Sequence, residues 1–367
     1  MNRFTYLIVI ILLAACSGSR REELAAQASV VRTELPFYAK GFSIDVLADS
    51  TKRIVLYNLE APGETLQVIH WKPRALNSVG CLSTTHIPFF KVLERLSLLK
   101  GVGFADRLQD SLLADAVQRG QIRNLTSGNE LDPEAVFSVS PDLLFVYPFG
   151  GAGYEKFLQR GIGCVQVSEY LEKHPLGRAE WIKVFGALLQ CEQEADSVFR
   201  TIEREYIALR DAQSKSATGK SMFLASMDGD RWAVSSSNSF IAQLITDAGA
   251  RYHFKDSSAT GNLVLSFESF YMDANKADYW GKIVYTEGTP SVADFIEHDD
   301  RLRSLSPVMN QRLFYCNALR DDYHGQALLE PQVLLNDLVG IVNDSSDVTF
   351  PFRYFHPLTL GYPSEQN

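Results

Sequence analysis

Residues 131–147, LDPEAVFSVSPDLLFVY, set a helical pattern directly against a strand pattern. Asp132 suits a helix N-cap, Pro133 the first helical position, and Glu134 the turn where negative charge meets the positive end of the helix dipole. Pro141 discourages continuation, so the predicted helix is short. The apolar run LLFVY then predicts a strand buried on both faces. A weaker copy occupies residues 265–285, LSFESFYMDANKADYWGKIVY. There Ser266 takes the cap, Glu268 the place of Glu134, Asp278 that of Asp142, and KIVY the strand. The chain therefore carries two α/β units, each opening a short helix with a glutamate.

Around these units the pattern predicts a longer series. Residues 42–46, 54–57 and 66–71 alternate or run apolar between turn residues, which predicts a small β-hairpin layer within 37–72. Residues 78–82 read as a buried strand, followed by the loop Ser83-Thr84-Thr85-His86 and a helix over about 88–99. Helices are predicted over 112–118 and 154–160, and a strand over 164–167. Gly150, Gly151 and Gly153 lack the spacing of a phosphate-binding fingerprint. Strands alternating with helices imply a mostly parallel sheet. Residues 178–189 and 192–212 are helical by pattern. In the second, Ala195, Val198, Phe199, Ile202, Tyr206 and Leu209 recur on one side, with no internal Gly or Pro. About twenty residues at 1.5 Å rise span roughly 30 Å, enough to cross a small domain. A new α/β series starts at 222–226, with a helix over 240–248, strands at 283–285 and 313–316, and a closing helix over 331–341.

The N-terminus changes the setting. Arg3 precedes an apolar run over residues 6–15, too short to span a bilayer, which ends in Leu13-Ala14-Ala15-Cys16. That tetrapeptide matches the bacterial lipobox, so Cys16 is expected to become an acylated first residue. The predicted division is a signal peptide over 1–15, a flexible tether over 16–36, an N-terminal lobe over 37–172, a helical segment over 173–215, a C-terminal lobe over 216–345 and a tail over 346–367. A chain of 367 residues, 46% hydrophobic, has room for two cores. The formal net charge of −9 argues against a nucleic-acid partner. Cys81, Cys164, Cys191 and Cys316 lack close C-x-x-C spacing, which argues against a zinc site, and leave all three full disulfide pairings open.

DPEAVFSVSPDLLFVY resembles a glutamate–helix–PDL–strand signature of the helical-linker periplasmic substrate-binding proteins that serve ABC importers of iron–siderophores, haem and cobalamin. HPLGRAEWIKVFGALL, residues 174–189, resembles the segment before the interlobe helix in Bacteroidetes-type lipoprotein members. LSFESFYMDANKADYW is similar to the matching C-lobe segment, and LLEPQVLLNDLVGI to the closing helix. The resemblance covers about residues 75–345. It implies an α/β fold of two Rossmann-like lobes bridged by a single long helix, with the β-hairpin layer as an addition. It also implies a ligand held between the lobes, and one surface glutamate per lobe, Glu134 and Glu268, docking on arginines of a permease. The expected protein is a monomeric carrier, not an enzyme, with no cofactor of its own. It would sit at the periplasmic face of a bacterial membrane, held by lipid alone.

Ligands of parallel sheets gather at the carboxyl ends of strands. That rule selects Thr84, Thr85 and His86, then Asn129, then residues 149–153; in the second lobe it selects 231–237, 287–289 and 320–325. Trp232 and Tyr323 offer flat faces to a corrin, porphyrin or catecholate. Arg320 can pair with an anionic siderophore or a propionate, and His86 and His324 can hydrogen-bond or ligate iron. Two other functions compete. A zinc or manganese carrier needs three or four converging ligands, and the seven histidines are scattered. An exported α/β hydrolase would show G-x-S-x-G or H-E-x-x-H, and neither is present.

Overall fold

The computed structural model describes residues 29–148, 153–214, 218–254, 261–296, 299–344 and 350–358. Cys16, the signal segment, and Gly150 and Gly151 lie outside these residues. In the first lobe five parallel strands lie in the order Gly163–Gln166, Leu143–Val146, Val79–Cys81, Leu99–Val102, Arg123–Asn124. Chain order reverses on the two sides of Val79–Cys81, so a crevice opens above the carboxyl end of that strand. The second sheet centres on Ser221–Asp228, with Tyr279–Val284 and Leu313–Asn317 parallel beyond it.

The two α/β units repeat in detail. Asp132 accepts from the Glu134 and Ala135 N–H groups, at 3.0 and 3.1 Å, and Ser266 Oγ accepts from the Ser269 N–H at 3.3 Å. Each cap starts a short helix, Pro133–Val139 and Phe267–Ala274. Each helix is followed by an aspartate that holds the start of the central strand. The Asp142 carboxylate takes the Asn77 and Ser78 N–H groups at 2.8 and 3.1 Å, and its own N–H returns to the Ser78 carbonyl at 3.0 Å. The Asp278 carboxylate takes the Ser221 N–H at 2.7 Å, and its N–H returns to the Ser221 carbonyl at 3.1 Å. Arg74 stands 3.5 Å from the first aspartate and Arg312 stands 3.6 Å from the second.

Three elements depart from the sequence reading. The helix expected to reach residue 99 stops at Val92; Glu94 turns the chain at φ 57°, and Leu99–Val102 is a strand. Residues 231–237, expected as a loop after the first C-lobe strand, begin with the antiparallel strand Arg231–Ser235. Gly229, at φ 63°, permits the tight hairpin that turns the chain straight back. Val30–Glu34, expected within the flexible tether, is a strand on Phe42–Leu47. Its β-branched residues suit an edge strand, and the Thr33 hydroxyl donates to Asp45 at 2.6 Å. Toward the other end, His356–Pro357 pairs antiparallel with Leu313–Asn317.

That edge strand opens a four-stranded antiparallel layer, Val30–Glu34, Phe42–Leu47, Lys52–Tyr57 and Thr65–Trp71. Two buried carboxylates fasten it to the first lobe. Glu180 accepts from the N–H groups of Phe37, Tyr38 and Ala39 at 2.8–3.0 Å. Glu172 accepts from the N–H groups of Lys40 and Gly41, and from the Trp181 indole at 3.0 Å. A Cβ at Gly41 would lie 2.5 Å from the Trp181 ring, so only glycine lets the backbone come this close. Gln67 adds a strand-like pair, donating to the Cys164 carbonyl at 2.7 Å and accepting from the Gln166 N–H at 3.0 Å.

Between the lobes runs the 22-residue helix Glu192–Gln213, about 33 Å long at the standard rise. Ala195, Phe199, Ile202 and Tyr206 form its buried stripe. It packs on Ile182–Leu189 at one side and on the closing helix Pro331–Val342 at the other. Gly186 makes the first contact close, since a Cβ there would meet the Ala195 Cβ at 2.6 Å. The Tyr206 hydroxyl donates to Asp247 of the second lobe at 2.5 Å. The described cysteines Cys81, Cys164, Cys191 and Cys316 are buried free thiols.

Removing the Glu180 carboxylate strands three backbone donors, of which the Ala39 N–H is buried, and the Lys183 ammonium. Glu180→Ala is expected to cost about 2–5 kcal/mol of unfolding free energy in urea, against less than about 1 kcal/mol for the exposed Glu134→Ala. Equal losses for the two variants would contradict this assignment.

Candidate ligand-binding cleft

The cleft is built where the rule of strand ends places it. Residues 83–86 follow the central N-lobe strand, and residues 320–325 follow Leu313–Asn317. A cavity of about 200 Å³ lies between them, lined by Thr85, Tyr170 and Arg178 from the first lobe and by Phe240, Tyr323 and His324 from the second. On its N-lobe side is a chamber of about 340 Å³ lined by Ser83, Thr85, His86, Phe104, Tyr147 and Tyr170.

Arg178 is the centre of this arrangement. It projects from the helix Pro175–Glu180, whose first turn is set by Pro175 and by His174 Nδ1 accepting from the Leu176 N–H at 3.1 Å. Its Nε donates to the Glu172 carbonyl at 3.2 Å and its Nη2 to the Tyr170 carbonyl at 2.6 Å. The guanidinium carbon stands 3.5 Å from the centroid of Phe240, in the other lobe. Those contacts occupy only part of the five-donor fork, leaving the remainder for the cavity that Arg178 lines. Burial pulls its pKa down to about 10, so it stays protonated at neutral pH.

The side chamber has a buried polar floor. The Thr85 hydroxyl donates to Glu169 Oε1 at 2.5 Å, and Glu169 Oε2 lies 3.9 Å from His86 Nε2. That oxygen and both ring nitrogens of His86 have no hydrogen-bond partner among the described residues, although each is buried. Burial holds the His86 pKa below its ordinary value, opposed by the Glu169 carboxylate and by the Phe145 carbonyl, which approaches outside hydrogen-bond geometry.

The predicted residues separate into groups. Thr85, Tyr323 and His324 line the central cavity, and His86 lines the side chamber. His324 Nε2 pairs with the Tyr285 hydroxyl at 2.9 Å. Thr84 lines a narrow crevice between the lobes, facing Asp322 and Gly325. Asn129 is exposed and accepts from Arg107 at 2.7 Å, holding that guanidinium over the Phe104 ring. Arg320 is exposed and turned to its own lobe, donating to the Glu287 carbonyl. Trp232 is not a cleft residue. It is 1% exposed and stacks on Phe270 at 4.0 Å, because the hairpin strand directs it into the core. Glu134 and Glu268 are both exposed, each second in its helix. Among the described residues no group of three or more His, Cys, Asp or Glu side chains converges on one point.

Residues 97–319 match the family model described as periplasmic binding protein. The chain belongs to that family. A lipoprotein of Methanocaldococcus jannaschii, itself uncharacterized, is 26% identical, over 90% of this chain and 81% of its own length. A periplasmic haem-binding protein of Pseudomonas aeruginosa superposes with a TM-score of 0.57 at 18% identity, covering 78% of this chain and 96% of that one. A periplasmic catecholate-siderophore binding protein of Vibrio cholerae does so with a TM-score of 0.55 at 12% identity, covering 77% and 94%. These likenesses fit the two-lobe fold with its bridging helix.

Sequence reasoning missed Tyr170, Arg178 and Phe240. The strand-end rule selected residues 231–237, while Arg178 opened the run 178–189 that reads as a helix by its pattern. The available signal was an arginine set between Gly177 and Ala179, just after Pro175 and Leu176.

Acid should weaken the fold through His86. An unfolded chain protonates this histidine below its ordinary value of 6.5, whereas the buried ring resists the proton. Stability is therefore fully present above that pH and falls as pH drops through it. His86→Gln should flatten the decline in melting temperature between about pH 7 and pH 5. An unchanged slope would show that His86 does not carry it.

Proposed function

We propose that this chain is a lipid-anchored carrier that captures an anionic metal chelate between its lobes and delivers it to an ABC importer. The carrying observation is Arg178, a half-buried cation in the cleft, stacked on Phe240 across the lobes. A fixed guanidinium among aromatic rings suits a flat or catecholate ligand bearing acidic oxygens. Iron–siderophore and haem fit that chemistry better than a corrinoid such as cobalamin, whose periphery is mostly neutral amide. The ligands of the two solved relatives, haem and a catecholate siderophore, agree with this order. Any iron or cobalt arrives inside the ligand, and the protein needs no cofactor of its own.

The central cavity of about 200 Å³ is smaller than the usual ligand site of about 300–1,000 Å³. Loading therefore requires the Arg178–Phe240 contact to part. The long helix between the lobes bends rather than folds, so the opening is modest. Cys16 carries the lipid, in keeping with the lipoprotein name of the archaeal relative, and the carrier works as a monomer on the periplasmic side.

Calorimetry with haemin, a ferric tris-catecholate and cyanocobalamin tests the ligand class. Arg178→Ala should weaken the preferred ligand about 10–100-fold, or about 1.4–3 kcal/mol, with partial recovery in Arg178→Lys. Binding of none of the three, or an unaffected Arg178→Ala, would reject the reading.

Glu134 and Glu268 are the proposed contacts with arginines of the permease. Each is exposed at the same position of a matching helix, one per lobe. The double change Glu134→Ala with Glu268→Ala should leave ligand affinity within about twofold while uptake through the cognate importer collapses. Normal uptake would reduce both residues to favourable charges at helix starts.

A further inference from the structure

A cavity of about 540 Å³ lies between the N-terminal β layer and residues 171–174 of the first lobe. Most of its wall comes from the layer, which ends at Trp71, well before the family match begins at residue 97. Its body is apolar: Phe37, Tyr38, Tyr57, Leu59 and Leu171.

The polar groups of the wall are unequally used. The acceptors are spent. Glu172 takes the Lys40 and Gly41 N–H groups and the Trp181 indole. Asn58 Oδ1 takes the N–H groups of Glu60 and Ala61 at 3.0 and 3.2 Å, and the Tyr57 hydroxyl pairs with Ser43 Oγ at 2.9 Å. The donors are not spent. The exposed ammonium groups of Lys40 and Lys173 make no ion pair or hydrogen bond among the described residues. His174 Nδ1 accepts from the Leu176 N–H, which puts the ring proton of the neutral imidazole on Nε2 as a further donor.

An apolar body with two ammonium groups and an imidazole N–H at its edge matches one kind of molecule. We propose that this cavity is a second binding site, which takes a small aromatic anion such as an aryl carboxylate. The rings and leucines cover the aromatic body, and Lys40, Lys173 and His174 hold the carboxylate. The one acidic wall group, Glu172, has its oxygens turned to backbone donors. Arg178 does not line this cavity, although its Nε donates to the carbonyl of the wall residue Glu172, and the assignment does not rest on the function proposed for the cleft.

Calorimetry with 2-naphthoate and its uncharged carboxamide tests the assignment on the purified protein. The acid should saturate a single site, and the amide should bind at least about tenfold more weakly. Lys40→Ala with Lys173→Ala should weaken the acid by about tenfold or more while leaving the melting temperature unchanged, since neither ammonium group makes an ion pair or hydrogen bond among the described residues. Tyr323→Ala, which alters the cleft and not this wall, should leave naphthoate affinity within about twofold. No saturable binding at millimolar naphthoate, equal affinity for acid and amide, full affinity in the lysine variant, or loss in Tyr323→Ala would each overturn the proposal.

Discussion

A buried carboxylate has to be given donors, and this molecule meets that requirement twice within one short stretch. Glu172 and Glu180 are almost fully buried, and both satisfy their oxygens with consecutive backbone N–H groups of residues 37–41. Lys183 Nζ completes the set around Glu180 and the Trp181 indole that around Glu172, and the segment would have unpaired donors without the two carboxylates. The same stretch also carries Tyr170, His174, Arg178 and Trp181. The β layer, the first lobe and the cleft therefore meet on about a dozen residues, and a change in one is felt by the others.

Arg178 turns this joint toward function. Its backbone belongs to the helix that Glu180 also occupies, so the carboxylates that fix the layer also fix the guanidinium. Its two carbonyl partners, on Tyr170 and Glu172, come from the turn just upstream. Only the stacking partner, Phe240, belongs to the other lobe. The cation is thus preorganised by one lobe and merely covered by the second. Opening the cleft would expose it without dismantling its support, which suits a ligand that enters from solvent.

The bridging helix sets the scale of that opening. Its stripe is gripped by Ile182–Leu189 on one side and by Pro331–Val342 on the other, with Tyr206 tied to Asp247. Glu192 and Glu194 in its first turn and Arg210 in its last complement the helix dipole. A helix packed along its length and well formed at both ends transmits small rotations and resists large ones.

Much of this was legible in the residues because it is local. Caps at Asp132 and Ser266, the prolines and aspartates that follow, and the apolar stripe of Glu192–Gln213 depend on neighbours a few positions away, and each appears where its pattern places it. The strand-end rule placed Thr85, His86, Tyr323 and His324 in loops that do line the two adjoining cavities, since topology alone brings those loops together. What failed was decided at long range. Trp232 went to the core because a tight hairpin at Gly229 replaced a loop, and Val30–Glu34 became a strand because Phe42–Leu47 offered it an edge. Arg178 became the central cation through Phe240, some sixty residues distant in sequence. Periodicity and capping are written into consecutive residues. Which donor meets which carboxylate, and which ring covers which cation, exists only once distant segments have packed.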